Sequence, residues 1–339
     1  FIFAGLFVVY AAFNVLTDST LSLFRSTNVI YLLLNALLVV VLYPFVFVFE
    51  KIYSFVSYSR LWDLSDTNNK LLENLSKKAP GTFQHSLQVA NLSATAATEI
   101  GANSMLVRVG ALYHDIGKLS RPMFFVENQS FYGIDNPHKT CTPRFSKMII
   151  TAHPKDGLEL AKEKEYRLPQ IIHNFIVQHH GTSLVSYFYN EALKEEGEDN
   201  VKEEQFRYPG PKPNMKETAI LMIADAVESA VRAAKNPSNE EIDAIIQKII
   251  KERLNDGQFE ESPLTLKDLK IIADTFSKML RGMHHKRIKY HNDLVEELDK
   301  NVKHSKDDDS NAEEVIPPML DADLESKIKE LENKKNENN

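Results

Sequence analysis

The apolar pattern divides the chain into an uncharged beginning, a long middle with helical periodicity and a polar end. It opens Phe-Ile-Phe-Ala-Gly-Leu-Phe-Val-Val-Tyr, with no Met in front and no charge before Asp18. Residues 1–17 are short for a complete crossing and read as a transmembrane helix cut in mid-membrane, so the chain is expected to be the C-terminal part of a longer protein. Asn28 to Phe49 is a second uncharged run, with Asn28 and Asn35 as its only asparagines. Roughly 20 residues cross a ~30 Å hydrocarbon core, so residues 28–50 are predicted to span a membrane. Tyr43 and Tyr53 lie where interfacial aromatics belong. A cleaved signal peptide does not fit the first run, because no basic segment precedes it and a second run follows. The alternative for the second run is a buried core helix, and its length argues against that. Lys51, Arg60, Lys70, Lys77 and Lys78 follow closely and place the rest of the chain in the cytoplasm. Residues 51–78 read as a linker helix.

From Leu61 onward the period is helical. Met105, Val109, Leu112 and Ile116 form one stripe, widened by Leu106 and Tyr113. Ser104 is expected to cap that helix and Gly117 to end it. Thr82, after Ala-Pro-Gly, is expected to cap the helix that carries His85. Further helices are predicted around 145–166, 169–180, 184–195, 215–235, 239–254 and 265–298, with prolines at the joins. No alternating run suggests a sheet, so the fold class is all-α. The folded domain is expected over 79–300. From Asn301 the composition turns to Lys, Asp, Glu, Asn and Ser, and 301–339 reads as a charged, disordered tail with a short helix near 322–333.

A net charge of -7 and no basic block in the folded part speak against general nucleic-acid binding. Cys141 is the single cysteine, so an internal disulfide and thiolate zinc sites are excluded.

The chemistry gathers in histidines and aspartates. His114-Asp115 ends an apolar helix, in Ala-Leu-Tyr-His114-Asp115-Ile-Gly-Lys118. His85 lies upstream, and His153, His179-His180 and Asp225 lie downstream, each in a helix-like segment. Imidazole and carboxylate ligands suit Zn, Mn and Fe. Seven such residues predict a dinuclear centre of the kind that binds both ends of a phosphodiester displacement and acidifies a water. Asp115, with two oxygens, is the natural bridge. Lys118, one turn after His114, can supply a cation to a phosphate oxygen, so Asp115 and Lys118 are the candidate catalytic residues. Asp225 sits in an apolar helix, where a carboxylate without a partner is costly. Glu228 and Arg232 either orient the site or form an ordinary surface pair. His173 and His304 are left without a role, and His138 reads as a loop residue near the site. The pair His284-His285, followed by Lys286 and Arg287, reads as a helix face. Tyr187, Phe188 and Tyr189 can stack on a base, although such a cluster is more often core.

This order of ligands resembles the HD-domain metal-dependent phosphohydrolases. More narrowly, the chain resembles the seven-transmembrane HD family of bacterial cyclic di-AMP phosphodiesterases. The resemblance rests on Ala79-Pro-Gly-Thr-Phe-Gln-His85-Ser, His114-Asp115-Ile-Gly-Lys118, Glu127-Asn-Gln, Asn136-Pro-His, His153-Pro-Lys-Asp-Gly157, Gln178-His-His-Gly-Thr182, Tyr208-Pro-Gly-Pro-Lys-Pro213 and Ile223-Ala-Asp225-Ala-Val-Glu-Ser-Ala-Val-Arg232. It runs from the membrane span to about Tyr290. It implies a cytoplasmic helical HD domain behind an extracellular domain and seven spans, of which the last one or two are present here. It also implies that His85, His114, Asp115 and Asp225 hold one metal, and that Asp115, His153, His179 and His180 hold the other. Two iron or manganese ions, and hydrolysis of cyclic di-AMP to the linear dinucleotide pApA at the inner face of the cell membrane, are the expected cofactors and reaction. Lys139, after His138, stands where an acidic residue is expected, and the tail after Asn301 matches no family pattern.

Three other readings stand beside it. One is a cyclic di-GMP phosphodiesterase of the HD-GYP group, disfavoured because Gly181-Thr-Ser-Leu follows the His pair in place of Gly-Tyr-Pro. The second is a phosphohydrolase of mononucleotides. The third is a receptor that binds a nucleotide without hydrolysing it, against which all seven ligands are present.

Overall fold

The computed structural model describes residues 2–18, 26–53, 55–234 and 236–283. Among them helices dominate and no strand is formed; an isolated bridge joins Leu184 and Arg207. The all-α expectation therefore holds. The helices are α1 (Ile2–Asp18), α2 (Ser26–Tyr53), α3 (Tyr58–Leu64), α4 (Lys70–Lys78), α5 (Pro80–Glu99), α6 (Ser104–Tyr113), α7 (Val126–Tyr132), α8 (Pro143–Lys162), α9 (Gln170–Gln178), α10 (Ser186–Glu196), α11 (Lys216–Ala233) and α12 (Asn239–Asn255). A further helix, α13, is described over 266–283. The chain divides into two units after Arg281, and all but the first residues of the second unit are outside the described set. The rest of the helix expected over 265–298, the His284-His285 pair and the expected tail therefore also lie outside the described residues.

Most predicted helices recur with ends moved by a few residues, because periodicity locates a buried face better than a terminus. Three terminal expectations are corrected. Helix α6 is capped by Asn103, whose Oδ1 accepts from Leu106 N at 3.0 Å, and not by Ser104. It ends at Tyr113, and Gly117 falls in the tight turn Ile116–Ser120. Helix α5 begins at Pro80, which suits a first helical position because the missing amide is not needed there. Thr82 is therefore inside the helix, where its hydroxyl donates to Glu127 Oε1 at 3.0 Å.

The core is a single apolar cluster that runs from Leu61 in α3 to Leu280 in α13. Helix α5 packs on α6 and α11, and α8 packs on the Ile116–Ser120 turn and on α9. A small satellite core of Ala192, Val201 and Phe206 takes Phe188 and Tyr189 against it, while Tyr187 stays exposed. Phe188 and Tyr189 are thus packing residues. Tyr113 is fully buried and its hydroxyl donates to Leu64 O at 3.0 Å, which ties α3 to the residue next to His114. At the other end of this connection Glu50 Oε1 accepts from Ser57 N at 2.8 Å, joining α2 to the start of α3. Counted over the described residues alone, no helix is long and apolar enough to cross a membrane.

Candidate metal centre

Three of the histidines stand where a backbone carbonyl has lost its amide partner. The last carbonyls of a helix have no intrahelical donor. Helix α6 stops at Tyr113, and Ala111 O accepts from His114 Nδ1 at 2.6 Å. Helix α9 stops at Gln178, and Ile176 O accepts from His179 Nδ1 at 2.8 Å. His153 lies in mid-helix, but Pro154 follows it. Proline has no N–H, so the carbonyl four residues back is freed. That carbonyl belongs to Ile150, and it accepts from His153 Nδ1 at 2.6 Å. A carbonyl can only accept, so each of these rings carries its proton on Nδ1 and turns a lone pair on Nε2 inward.

The inward atoms meet around Asp115. Its Oδ2 lies 3.2 Å from His114 Nε2 and 3.7 Å from His85 Nε2. Its Oδ1 lies 3.3 Å from His153 Nε2 and 3.6 Å from His179 Nε2. Asp225 Oδ1 is 2.9 Å from His85 Nε2 and 3.9 Å from His114 Nε2, and its Oδ2 is 3.7 Å from His180 Nδ1. All seven sequence-predicted ligands are therefore brought together. Ligand atoms of His85, His114 and Asp225 cluster within 4.8 Å of one another, and so do those of His153, His179 and His180. Of the seven, His180 alone is not fully buried; its ring stacks on Tyr208 with centroids 4.2 Å apart.

The arrangement fits divalent cations. His153 and His179 face each other with Nε2 atoms 3.0 Å apart, and both Nδ1 protons are already committed to carbonyls. Two lone pairs in contact repel unless a cation lies among them. His114 Nε2 and Asp115 Oδ1 are buried without a hydrogen-bond partner. Each such orphan costs about 1–3 kcal/mol, and a metal ion would satisfy both.

Electrostatics separate the ligands. Burial pushes His153 down to about 4 and His179 to about 3, and holds His180 well below the ordinary range. All three are neutral at physiological pH, as ligands must be. Burial also opposes charge on His85, but Asp225 and Glu228 outweigh it and raise this imidazole to about 9. Glu228 Oε2 receives His85 Nδ1 in a short hydrogen bond, while Arg232 stands 3.6 Å from the same oxygen. Glu228 thus holds His85 and also pairs with Arg232 one turn on, and it is buried rather than at the surface. Burial would raise Asp115, yet His114 and Lys118 hold it well below the usual carboxylate range.

Lys118 donates to Asp115 Oδ2 at 2.8 Å and to Glu127 Oε1 at 2.9 Å. Its charge is shared between two carboxylates, and Glu127 is itself held by Thr82. His138 and His173 stay outside the cluster; His138 Nε2 is 3.0 Å from Phe124 O, and His173 is buried in α9. A cavity of about 220 Å³ opens onto the cluster, lined by Lys118, His153, His179, His180, Asp225 and Arg253 among others. A larger open groove between α12 and α13 carries no such set of ligands, and its Asp243 is engaged by Ser277 and Arg281. Glu127, Tyr208 and Arg253 were given no role by sequence reasoning. Arg253 had a signal: it extends the stripe of Ile242, Ile246 and Ile250 by three residues, and a cation on an apolar stripe is unusual.

Comparison with known proteins agrees with this geometry. A family model described as the HD domain matches residues 82–230. The chain is 46% identical over 256 residues to the cyclic-di-AMP phosphodiesterase PgpH of Bacillus subtilis (strain 168), covering 76% of this chain and 35% of that protein. It is 50% identical over 245 residues to the PgpH of Listeria monocytogenes serotype 1/2a (strain 10403S), covering 72% of this chain and 33% of that protein. The chain thus spans about a third of the length of these curated relatives. The crystal structure of the L. monocytogenes PgpH HD domain in complex with cyclic-di-AMP superposes with a TM-score of 0.61 at 50% identity, over 64% of this chain and 99% of that one. From the ligand order, the helical architecture and these matches, the chain belongs to the HD-domain family.

Proposed function

We propose that the chain hydrolyses cyclic di-AMP to the linear dinucleotide pApA, with two divalent ions, iron or manganese, held by the seven residues above. The single observation that carries the reading is the division of Asp115, whose two oxygens face two separate sets of imidazoles. A pair of divalent ions would supply Lewis acidity and an acidified water to such a centre. The protein's own part is placement. Ala111, Ile150 and Ile176 carbonyls aim three Nε2 atoms, Glu228 aims His85, and Tyr208 supports the ring of His180. Lys118 holds Asp115 Oδ2 and keeps a positive charge at the cavity wall, where it favours an anionic phosphodiester. The cavity is below the ~300–1,000 Å³ usual for a whole ligand, so it takes in only part of the dinucleotide. The substrate is carried over from the relatives named PgpH and from the bound ligand of the L. monocytogenes domain.

The same reading places the centre on the cytoplasmic side of a membrane, tethered by residues 28–50 and by the partial span 1–17; of the linker expected over 51–78, α3 and α4 pack into the core of the catalytic domain expected over 79–300. Residues 37–42 of α2 are six consecutive exposed large apolar side chains, so this stretch offers water no polar face. Helix α2 has 28 residues, but its described residues alone do not make a helix long and apolar enough to cross a membrane, so the proposed span rests on the uncharged sequence run from Asn28 to Phe49.

The test is turnover by the purified full chain loaded with Mn or Fe, on cyclic di-AMP and cyclic di-GMP side by side. The expected result is faster opening of the adenine substrate. Failure to cleave either overturns the enzymatic reading, and preference for the guanine substrate overturns only the specificity.

A further inference from the structure

Arg253 lies in the last turn of α12 and lines the cavity beside His180, Tyr208 and Asp225. Its Nε is buried and has no hydrogen-bond partner. Asp256 is near enough to feel its charge, but that carboxylate is already occupied. Arg207 grips it at 2.7 and 3.1 Å, and Gln258 Nε2 donates to it at 2.8 Å. Lys118, the other cation of the wall, is satisfied by Asp115 and Glu127. Arg253 is therefore the cation of this wall without a carboxylate of its own among the described residues. A guanidinium presents a rigid fork of donors that matches two phosphate oxygens at once. A half-buried, uncompensated guanidinium is stabilised when an anion joins it.

In the phosphodiesterase reading the reacting phosphate would lie at the ions held around Asp115, with Lys118 as the adjacent cation. Arg253 comes from a different helix and makes no hydrogen bond or ion pair with any of the seven ligands. A cyclic dinucleotide carries a second phosphate one ribose away from the first. We propose that Arg253 is a specificity-determining residue that holds this second, non-reacting phosphate, and so selects substrates with two phosphodiesters over those with one. This rests on the phosphodiesterase reading above.

The experiment compares the metal-loaded full chain with its Arg253→Gln and Arg253→Lys variants. The substrates are cyclic di-AMP and bis(p-nitrophenyl) phosphate, a diester with one phosphate. For Arg253→Gln, KM for cyclic di-AMP is expected to rise roughly 10- to 100-fold, the loss of a hydrogen-bonded charged contact, with kcat and metal content unchanged. Turnover of the single-phosphate diester should not move, and Arg253→Lys should recover part of the affinity. Equal losses on both substrates would place Arg253 at the reacting group and overturn the proposal. No change on either would make it a solvated surface cation and overturn it as well. Failure of the unaltered chain on cyclic di-AMP, with the single-phosphate diester still cleaved, would instead overturn the functional reading on which the proposal stands.

Discussion

The two halves of the proposed metal centre share the Asp115 carboxylate and differ in charge. The His85 half sets two imidazoles against Asp225 and Asp115, with Glu228 behind His85. The His153 half sets His153 and His179 against one oxygen of Asp115, and groups His180 with them. Carboxylates keep a proton on His85, whereas burial strips His153 and His179. An ion entering the first half must therefore displace a proton. An ion entering the second finds neutral nitrogens and, through the partly exposed His180, the side that opens to the cavity. In the proposed centre one bridging residue would thus serve two sites of different charge, one suited to holding an ion and the other to meeting a substrate.

Removing the bridge should have the largest effect. Asp115→Ala is expected to lose both ions and all turnover, while His153→Ala should lose only the ion of its own half, as read by metal analysis of the purified proteins. Two tightly held ions in Asp115→Ala would show that the halves do not share it.

The seam between the halves is the next place to press. Gly117 follows the His114-Asp115 pair by two residues, and a Cβ there would lie 1.9 Å from His153 O and 2.5 Å from Gly157 N. Backbone cannot step aside cheaply, so Gly117→Ala should cost about 1–3 kcal/mol or more as overpacking does. It should also lower the affinity of both halves together. Urea unfolding and metal titration read the two effects, and an unchanged midpoint would contradict the packing described.

Glu228→Gln separates the halves more gently. Loss of the carboxylate behind a metal-ligating histidine typically weakens affinity ~10–100-fold, and here only the His85 half should weaken. Equal weakening of both would erase the distinction.

The pH dependence of the metal-free chain gives the smallest and most diagnostic signal. His85 is raised to about 9, so its stabilisation is complete below its unfolded value of about 6.5 and is lost as pH rises through about 9. His153 and His179 are lowered to about 4 and about 3. Below about pH 6.5 the unfolded chain binds protons that these native rings refuse, so stability falls as pH drops toward those values. Each limb is on the order of a few kcal/mol. His153→Gln should shorten the acid limb and Glu228→Gln the alkaline one. Denaturant midpoints measured across that range check both, and a flat profile would contradict the assigned charges.

Much of this was legible in the sequence, for physical reasons. The seven ligands stood out because charged and imidazole groups inside apolar helices need compensation, and the 3.6-residue period located those helices. Their ends were less legible. Asn103 and Ser104 are both good caps, and only the backbone decides that Asn103 takes the role. Thr82 resembles a cap, but Pro80 starts the helix earlier and frees Thr82 to hold Glu127. Glu228 was legible as an orienting candidate, but which ligand it aims was not, and the backbone carbonyls that aim the others leave no mark in the side chains. Glu228 reaches His85 across 143 residues of sequence, and the Ile150 carbonyl becomes available only because Pro154 follows His153. Arg253 could have been flagged by its place on a buried stripe, but its cavity could not.

The most direct measurement is an anomalous-scattering crystal structure of the metal-loaded protein, with data collected at the absorption edge of the bound metal. Two peaks roughly 3.5–4 Å apart are expected, one against His85, His114 and Asp225, the other against His153, His179 and His180, with Asp115 touching both. A single peak, or two peaks of which Asp115 touches only one, would contradict the shared bridge on which both halves depend.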